Sequence, residues 1–373
     1  MEPYRSSTAT ELNVKLGRLQ ALLIERNLDA LWLRQSSNFV WATCGASSYI
    51  DRADSMGIAS LLITRTDRFV LTNNIEAVRL MEEEGLARQG WEFRVSPWYE
   101  NGDEVTKLTA EMKLGVDSCY RNAIDLSPDV ASLRFQLTSE ETERFRELGG
   151  LCAYGMGEAA DAIRPGMTEY EISAMLSQAV ESRGVQVTVN LAATDERIFA
   201  YRHPLPTSKK LQRYVMLVLC GRKSGLVCSL TRLIHFGPLP DEVRRKAEAA
   251  AKVDAAMIAA TRPGRTMGDV FHLAQETYAA TGFPDEWQLH HQGGLAGYAP
   301  REITATPAST QPILAGQAYA WNPSITGVKS EDTILVGEQN NEIITEMEDW
   351  PAINVQIDNQ TIMRPAILER EPL

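Results

Sequence analysis

The sequence predicts an α+β protein of two domains, a smaller α/β domain over residues 1–135 and a larger domain over residues 136–373. Three observations support this division. Helix and strand patterns alternate along the first third of the chain, a polar and turn-rich stretch follows, and one motif occurs twice in the remainder. A length of 373 residues is enough for two domains that each bury a core of their own.

The first domain combines amphipathic helices with short apolar strands. A helix is expected where leucines recur at helical spacing, and a hairpin where two apolar runs flank a polar turn. The expected helices are Leu12–Asn27, Glu76–Glu84 and Val105–Met112, the expected strands are Asp29–Leu33, Trp91–Val95 and Lys113–Asp117, and the hairpin is Ile58–Leu71.

The second domain contains an internal repeat. The segment Arg164–Ile172 reappears as Arg262–Val270, 98 residues later (262 − 164), and each copy lies between an alanine-rich helical stretch and another helix. In each copy Pro-Gly ends the first helix, since glycine accepts the left-handed conformation after a helix, and a threonine two residues later caps the next one. Two copies with matched flanks predict a duplicated helical and sheet-forming half.

Composition limits the classes of partner and the cellular location that are expected for this protein. The net charge of −12 and the absence of basic clusters argue against nucleic acid. Five scattered cysteines without a CxxC pair indicate reduced thiols and a cytoplasmic location. The chain shows neither a signal sequence nor an apolar run near eighteen residues, so no membrane span is expected.

Six segments of the second domain contain the candidate functional residues. They follow one another as Tyr201–Thr207, Tyr214–Gly221, Gly225–Arg232, His290–Tyr298, Tyr319–Ser324 and Ser330–Val336. Together with the repeat they resemble the family of creatinase, aminopeptidase P, prolidase and methionine aminopeptidase. That resemblance implies a pita-bread domain, an antiparallel sheet covered by paired helices. It also implies, for most members, two divalent ions held by two Asp, one His and two Glu.

The resemblance places neutral residues at three of these five ligand positions. The first Asp falls on Leu219 or Cys220, the second on Ser229, and one Glu on Asn322, whereas His291 and Glu331 are retained. Hard divalent ions require several anionic oxygen ligands, so no di-metal centre and no cofactor is expected.

One metal alternative stays open. A single zinc ion on Cys220, His291 and Glu331 would use a ligand set that zinc accepts. The opposing interpretation is that Cys220, flanked by apolar residues of a strand, is a small buried residue.

Creatinases show what chemistry such a site can keep, because they lack metal and use a histidine as general acid and base. The resemblance places that histidine at His203, with His291 and Glu331 as further catalytic candidates. An imidazole titrates near neutrality and can accept and return one proton in a cycle. The remaining candidates are substrate contacts: Arg202, Arg232 and Tyr298 for a carboxylate or carbonyl, and Cys220, Ser229 and Asn322 as lining residues. Arg232 fits a structural salt bridge equally well.

Three functions are therefore compatible with the sequence. The favoured one is a metal-independent hydrolase or lyase that acts on a C–N or related bond of a small polar molecule. The alternatives are an Xaa-Pro-type aminopeptidase or dipeptidase that depends on metal, and a non-catalytic pita-bread binding protein. The resemblance also implies a homodimer.

Overall fold

The computed structural model describes residues 6–100 and 103–371 of the chain. The chain divides into two compact units, Met1–Glu140 and Glu141–Leu373. The division falls five residues after the boundary expected from the polar stretch (140 − 135). Within the described ranges, no helix is long and apolar enough to cross a membrane.

The first unit is a mixed six-stranded sheet with helices, in the strand order β4-β3-β2-β1-β5-β6. Its core includes Ala30, Leu62, Phe69 and Val105. The elements are α1 (Ser6–Glu25), β1 (Ala30–Gln35), α2 (Ser36–Ala42), β2 (Met56–Thr64), β3 (Arg68–Asn73), α3 (Ala77–Glu82), β4 (Glu92–Ser96), α4 (Glu104–Leu108), β5 (Leu114–Val116), β6 (Ile124–Asp125) and α5 (Ser127–Leu133). Each expected helix and strand is present with shifted ends, and α2, β6 and α5 are additional.

Helix α2 forms where the sequence gives no helical signal, and Asp117 explains why. Its buried carboxylate accepts the backbone N–H groups of Arg34 at 2.8 Å and Gln35 at 3.0 Å, and the Asn38 side chain at 2.8 Å. These bonds hold the chain at the junction of β1 and α2. Because Asp117 lies about eighty positions further along the chain, the local sequence around α2 does not predict the helix.

The second unit contains a five-stranded antiparallel sheet, a four-stranded sheet that is antiparallel except for the parallel edge strand β19 (Leu368–Arg370), paired helices and smaller hairpins. Its elements are α6 (Ser139–Ala162), α7 (Glu169–Glu181), β7 (Gln186–Thr194), α8 (Glu196–Ala200), β8 (Tyr214–Lys223), β9 (Leu226–Phe236), α9 (Asp241–Ala260), α10 (Met267–Ala280), a 3-10 turn (Glu286–Leu289), β10 (Gly293–Ala296), β11 (Ile303–Thr304), β12 (Ala318–Trp321), β13 (Ser324–Ile325), β14 (Val328–Lys329), β15 (Asp332–Leu335), β16 (Glu342–Ile343), β17 (Ala352–Ile357), β18 (Gln360–Pro365) and β19 (Leu368–Arg370).

The order of these elements shows the repeat. Helices α6 and α7 precede the antiparallel strands β7, β8 and β9, and helices α9 and α10 precede β10, β12 and β15. The threonines predicted to cap the second helix of each half, Thr168 and Thr266, both form a capping box. Gly166 and Gly264 both have a positive φ, +92° and +90°, as expected of a glycine after a helix. The predicted helix ends are confirmed in both halves.

Two adjacent glycines on α6 differ in how closely the rest of this unit packs against them. An added Cβ at Gly149 would lie 2.2 Å from the carbonyl oxygen of Ile344, whereas one at Gly150 would meet no atom within 4 Å. We expect Gly149→Ala to lower the free energy of unfolding by about 1–3 kcal/mol through overpacking. Gly150→Ala should raise it by about 0.5–1 kcal/mol, because alanine favours the helix. Urea denaturation of both variants measures the difference, and equal effects would contradict this packing.

Candidate active site

Strands β8 and β9 set the first pair of candidate residues side by side. Cys220 lies directly opposite Ser229 in the antiparallel register, and its Sγ is 3.2 Å from the Ser229 Oγ. Leu219 lies opposite Leu230 instead. Since neighbouring strand residues point to opposite faces, Cys220 rather than Leu219 shares the face of Ser229.

An isolated β-bridge at Glu331 contributes to joining this sheet to the second one. Thr231 pairs with Glu331 in an isolated antiparallel bridge, and the Thr231 hydroxyl donates to the Glu331 carboxylate at 2.6 Å. Asn322 follows directly after the pair Trp321–Asp332, which places it opposite Glu331 on the neighbouring strand. Its backbone N–H donates to the carbonyl of Gln292 at 3.0 Å. Ser229, Asn322 and Glu331 are thus gathered by the meeting of the two sheets.

The residues on either side of Glu331 face a separate buried network. Ser330 donates to Asp254 at 2.5 Å, and Asp332 pairs with Arg364 at 2.5 Å and with Arg232 at 2.9 Å. The arginine and aspartate side chains of this network are at most 2% exposed. Arg232, predicted as either a substrate contact or a structural salt-bridge partner, lies in a buried ion pair with Asp332.

Two buried cations neutralise Glu331. The Lys329 ammonium lies 2.7 Å and the Arg301 guanidinium 3.0 Å from its carboxylate, with side chains only 5% and 9% exposed. Burial alone would raise the pKa of Glu331, but the charges of Lys329 and Arg301 lower it to about 2. Arg301 also donates to the Ser229 hydroxyl at 3.2 Å. Glu331 is an anion at neutral pH, and its two partners leave one excess positive charge.

Three histidines form a cluster. The Nε2 atoms of His203 and His290 are 2.9 Å apart, and the rings of His290 and His291 stack with centroids 4.4 Å apart. Burial, followed by the charge of Lys329, lowers the pKa of His290 to about 2. Burial, followed by Arg301, lowers the pKa of His291 to about 4.

The pKa of His203 is also lowered, first by burial and then by Lys329. All three rings are consequently neutral at pH 7. His290 is buried, whereas His203 and His291 are exposed. The cluster therefore offers neutral imidazole nitrogens to solvent.

Two other predicted contacts, Tyr298 and Arg202, already have partners within the protein. The Tyr298 ring is buried, and its hydroxyl donates to Glu141 at 2.5 Å, so it is fixed within the protein. Arg202 forms an ion pair with Glu286 at 2.5 Å and donates to Thr326 at 3.0 Å. Binding a substrate carboxylate would cost these residues their present partners, so we leave both out of the candidate site.

The residues present do not fit two divalent cations. Cys220, Ser229 and Asn322 supply no anionic oxygen, and burial raises the pKa of the Cys220 thiol to about 11. The one carboxylate, Glu331, is neutralised by two cations whose charge repels a metal ion. Two Mn²⁺-like ions would therefore have neither sufficient charge nor sufficient donors.

A single ion has a different set of possible ligands from the one expected. Among the described residues the group whose ligand atoms lie close enough is His203, His290 and His291, all within 4.8 Å of one another. Neutral imidazoles suit zinc or copper, but two of these three nitrogens already contact each other. The expected zinc set of Cys220, His291 and Glu331 is not among such groups of the described residues. Glu331 is also already bound by its two cations.

Three residues of the site escaped the sequence analysis: His290, Arg301 and Lys329. Lys329 stands two positions before Glu331, and residues two apart on a strand share a face, so alternation could have found it. His290 is adjacent to a candidate that was identified. Arg301 lies in a segment between strands, and no local pattern marks it.

The comparison with known families agrees with this architecture. The model of metallopeptidase family M24 matches residues 143–338, which is 196 of 373 residues. The chain therefore belongs to metallopeptidase family M24, and with it to the hydrolases of the creatinase and Xaa-Pro peptidase superfamily. This confirms the predicted family and enzyme class.

Individual relatives are distant. An uncharacterized peptidase of Staphylococcus saprophyticus is 23% identical over 374 residues, which span 90% of this chain and 100% of the relative. An uncharacterized peptidase of Staphylococcus aureus is 22% identical over 236 residues, 60% of this chain and 66% of the relative. The match to the second thus covers just under two thirds of its length.

Solved structures confirm the predicted fold class, an α/β domain followed by a pita-bread domain. A Pyrococcus horikoshii prolidase has a TM-score of 0.78 at 18% identity, covering 90% of this chain and 98% of its own. An Xaa-Pro dipeptidase from Bacillus anthracis has a TM-score of 0.78 at 20% identity, with 96% and 100% covered. The N-terminal domain of the chickpea FACT complex subunit SPT16 has a TM-score of 0.69 at 12% identity, with 91% and 97% covered.

Replacing Glu331 by Gln should destabilise the protein strongly at neutral pH. The change leaves Lys329 and Arg301 buried without an anion, which typically costs about 3–5 kcal/mol. Because the pKa of Glu331 is about 2 in the folded state against 4.5 ordinarily, its stabilisation is complete above pH 4.5 and is lost as the pH falls towards 2. The difference in unfolding free energy between wild type and variant should shrink over that interval.

The control is Glu342→Gln. Glu342 pairs with Arg146 on the surface, where the two side chains are 47% and 40% exposed, and such pairs contribute at most about 1 kcal/mol. Denaturant titrations at several pH values compare the two variants. A Glu331→Gln effect as small as the control, or one that does not change with pH, would contradict the buried ion pairs.

Proposed function

We propose that this chain is a hydrolase of family M24 that works without the family's two metal ions. It cleaves a C–N or related bond of a small polar molecule, with His203 as general acid and base. The observation that carries the proposal is the pairing of Glu331 with Lys329 and Arg301. The only carboxylate among the proposed ligand positions is already neutralised by side chains.

His290 supports His203 in that role. The Nε2–Nε2 contact of 2.9 Å fixes the ring of His203 and uses one of its two nitrogens. The other nitrogen, Nδ1, is left for water or substrate on an exposed residue. Because His290 remains neutral, it presents either one N–H or one lone pair to His203, and so couples the tautomers of the two rings.

The reaction then needs one proton and no external reagent. A neutral His203 takes a proton from water at Nδ1 while the water oxygen forms a bond to the electrophilic carbon. When the C–N bond breaks, its electron pair stays on nitrogen and the imidazolium of His203 returns the proton to it. Water is consumed and the imidazole ends neutral, as it began.

Two other functions compete with this one. The names of the prolidase and the Xaa-Pro dipeptidase favour a dipeptidase, and the name of family M24 favours a metal-dependent one. The donor set opposes metal dependence. The likeness to the SPT16 domain allows a binding protein without catalysis. The neutral histidines beside a charged, buried site favour chemistry over binding alone.

The metal content of the purified protein distinguishes the proposed hydrolase from a metal-dependent dipeptidase. We expect protein purified without chelator to hold well under one tightly bound divalent ion per chain, because the site lacks anionic donors. Inductively coupled plasma mass spectrometry after exhaustive dialysis measures this. Two ions per chain would overturn the proposal. One ion that disappears in the variant His290→Phe would instead point to the three histidines.

Replacing His203 by Ala should reduce turnover by at least about a hundredfold, the lower end of general acid–base contributions. The assay follows hydrolysis of small amides, lactams and Xaa-Pro dipeptides, while thermal unfolding checks that stability is largely retained. His272→Ala, which removes an exposed histidine of α10, serves as the control. Unchanged turnover in His203→Ala would remove this residue from the mechanism, and absence of turnover in wild type on every substrate would favour a binding protein.

A further inference from the structure

We propose that Lys329 and Arg301 bind an anionic oxygen of the substrate and so replace the positive charge of the family's metal ions. The inference rests on the proposed function and names the substrate chemistry of the same site. The shared ligand is one negatively charged oxygen group, either a carboxylate that the substrate carries or the oxyanion formed when water adds to a carbonyl.

The formal charges of the site carry the argument. Lys329 and Arg301 contribute two positive charges and Glu331 one negative charge, so the cluster has a net charge of +1 (2 − 1). The neighbouring network on the other face is balanced, since Arg232 and Arg364 face Asp254 and Asp332. An excess buried charge is expensive unless it finds a partner. A monoanionic ligand would supply one.

Hydrogen-bond donors remain for that ligand. The Lys329 ammonium has three N–H groups, one of which is taken by Glu331. The Arg301 Nε is buried and has no acceptor among the described residues. Because charge-assisted bonds from ammonium and guanidinium groups to an oxyanion are strong, these donors suit an anionic oxygen better than a neutral one.

The cations also belong to the same site as the histidines. The charge of Lys329 acts on His203, His290 and His291, and that of Glu331 acts on all three as well. His203 and His291 are exposed to solvent, whereas the two cations are largely buried. The backbone also connects the two groups, because Asn322, which follows the pair Trp321–Asp332, donates its N–H at 3.0 Å to the carbonyl of Gln292, the residue after His291.

The chemical step balances with this assignment. As His203 takes a proton from water, the new C–O bond forms and the carbonyl electron pair moves onto its oxygen, which Lys329 and Arg301 stabilise. The oxyanion then re-forms the carbonyl, the C–N bond breaks, and His203 gives its proton to the leaving nitrogen. Fixed charges directed at a developing oxyanion commonly supply a large share of catalysis.

A pair of probes tests the site without turnover. Acetate and acetamide have the same shape and differ in charge, and each is titrated into protein labelled with ¹⁵N-histidine while the ring signals are followed. We expect acetate to shift the signals of His203 and His291 saturably and acetamide to bind at least tenfold more weakly. Equal binding of the two probes, or no acetate response, would overturn the proposal.

Charge variants show whether the two cations are responsible. Lys329→Met and Arg301→Met each reduce the formal charge to zero, and each should weaken acetate binding at least tenfold. Lys329→Arg should retain it. The double variant Lys329→Met with Glu331→Gln restores a charge of +1 and should recover binding, and it remains informative if a single variant fails to fold. Unchanged acetate affinity in a folded single variant would overturn the assignment.

Two further comparisons separate the sources and the two proposals. With N-acetylglycine and N-acetylglycinamide as substrates, a rise in KM of Lys329→Met confined to the acid indicates a substrate carboxylate. If Lys329→Met instead has a lower kcat on the acid and on the amide, the cations stabilise the oxyanion. Either result supports the anion site. His203→Ala should lose turnover and keep acetate binding. If wild type binds acetate as predicted but His203→Ala is fully active, the proposed function fails and the anion site stands.

Discussion

The site depends on the alternation of three consecutive residues, Ser330, Glu331 and Asp332. Asp332 is held by two arginines and Ser330 by Asp254, in a network closed to solvent. Because successive strand residues point to opposite faces, this anchoring directs Glu331 to the other side, towards the histidines and the bridge from the first sheet. A shift of one residue would exchange the two faces and leave the cations of both without their anions.

Features that depend on local chemistry could be predicted from the sequence. The repeated Pro-Gly and threonine pattern fixed the ends of four helices, because a capping residue acts within one turn of itself. Helix α2 could not be predicted, since its start depends on the carboxylate of Asp117, which is distant along the chain. The same limit applies to Tyr298, which follows strand β10 and whose hydroxyl is bound by Glu141 of helix α6.

For the candidate site, the sequence indicated which positions matter but not which charges surround them. His203, His291 and Glu331 could be singled out by resemblance, and the neutral residues among the ligand positions by their chemistry. The pairing of Arg301 with Glu331 required the three-dimensional arrangement, because Arg301 comes from a segment between strands thirty positions before Glu331. The contact between His203 and His290 likewise joins residues 87 positions apart.

The position of Arg301 has a consequence for any attempt to build a metal site in this chain. Its guanidinium lies 3.2 Å from the Ser229 hydroxyl, so an aspartate arising at Ser229 would meet a cation already in place. The new carboxylate would form an ion pair with Arg301 before it could bind a metal ion, and removing Arg301 first would leave Glu331 less well neutralised. No single substitution at these two positions thus creates a metal ligand, and a metal site would need several coordinated changes. A metal-binding and a metal-free form of this site are therefore separated by substitutions that must occur together.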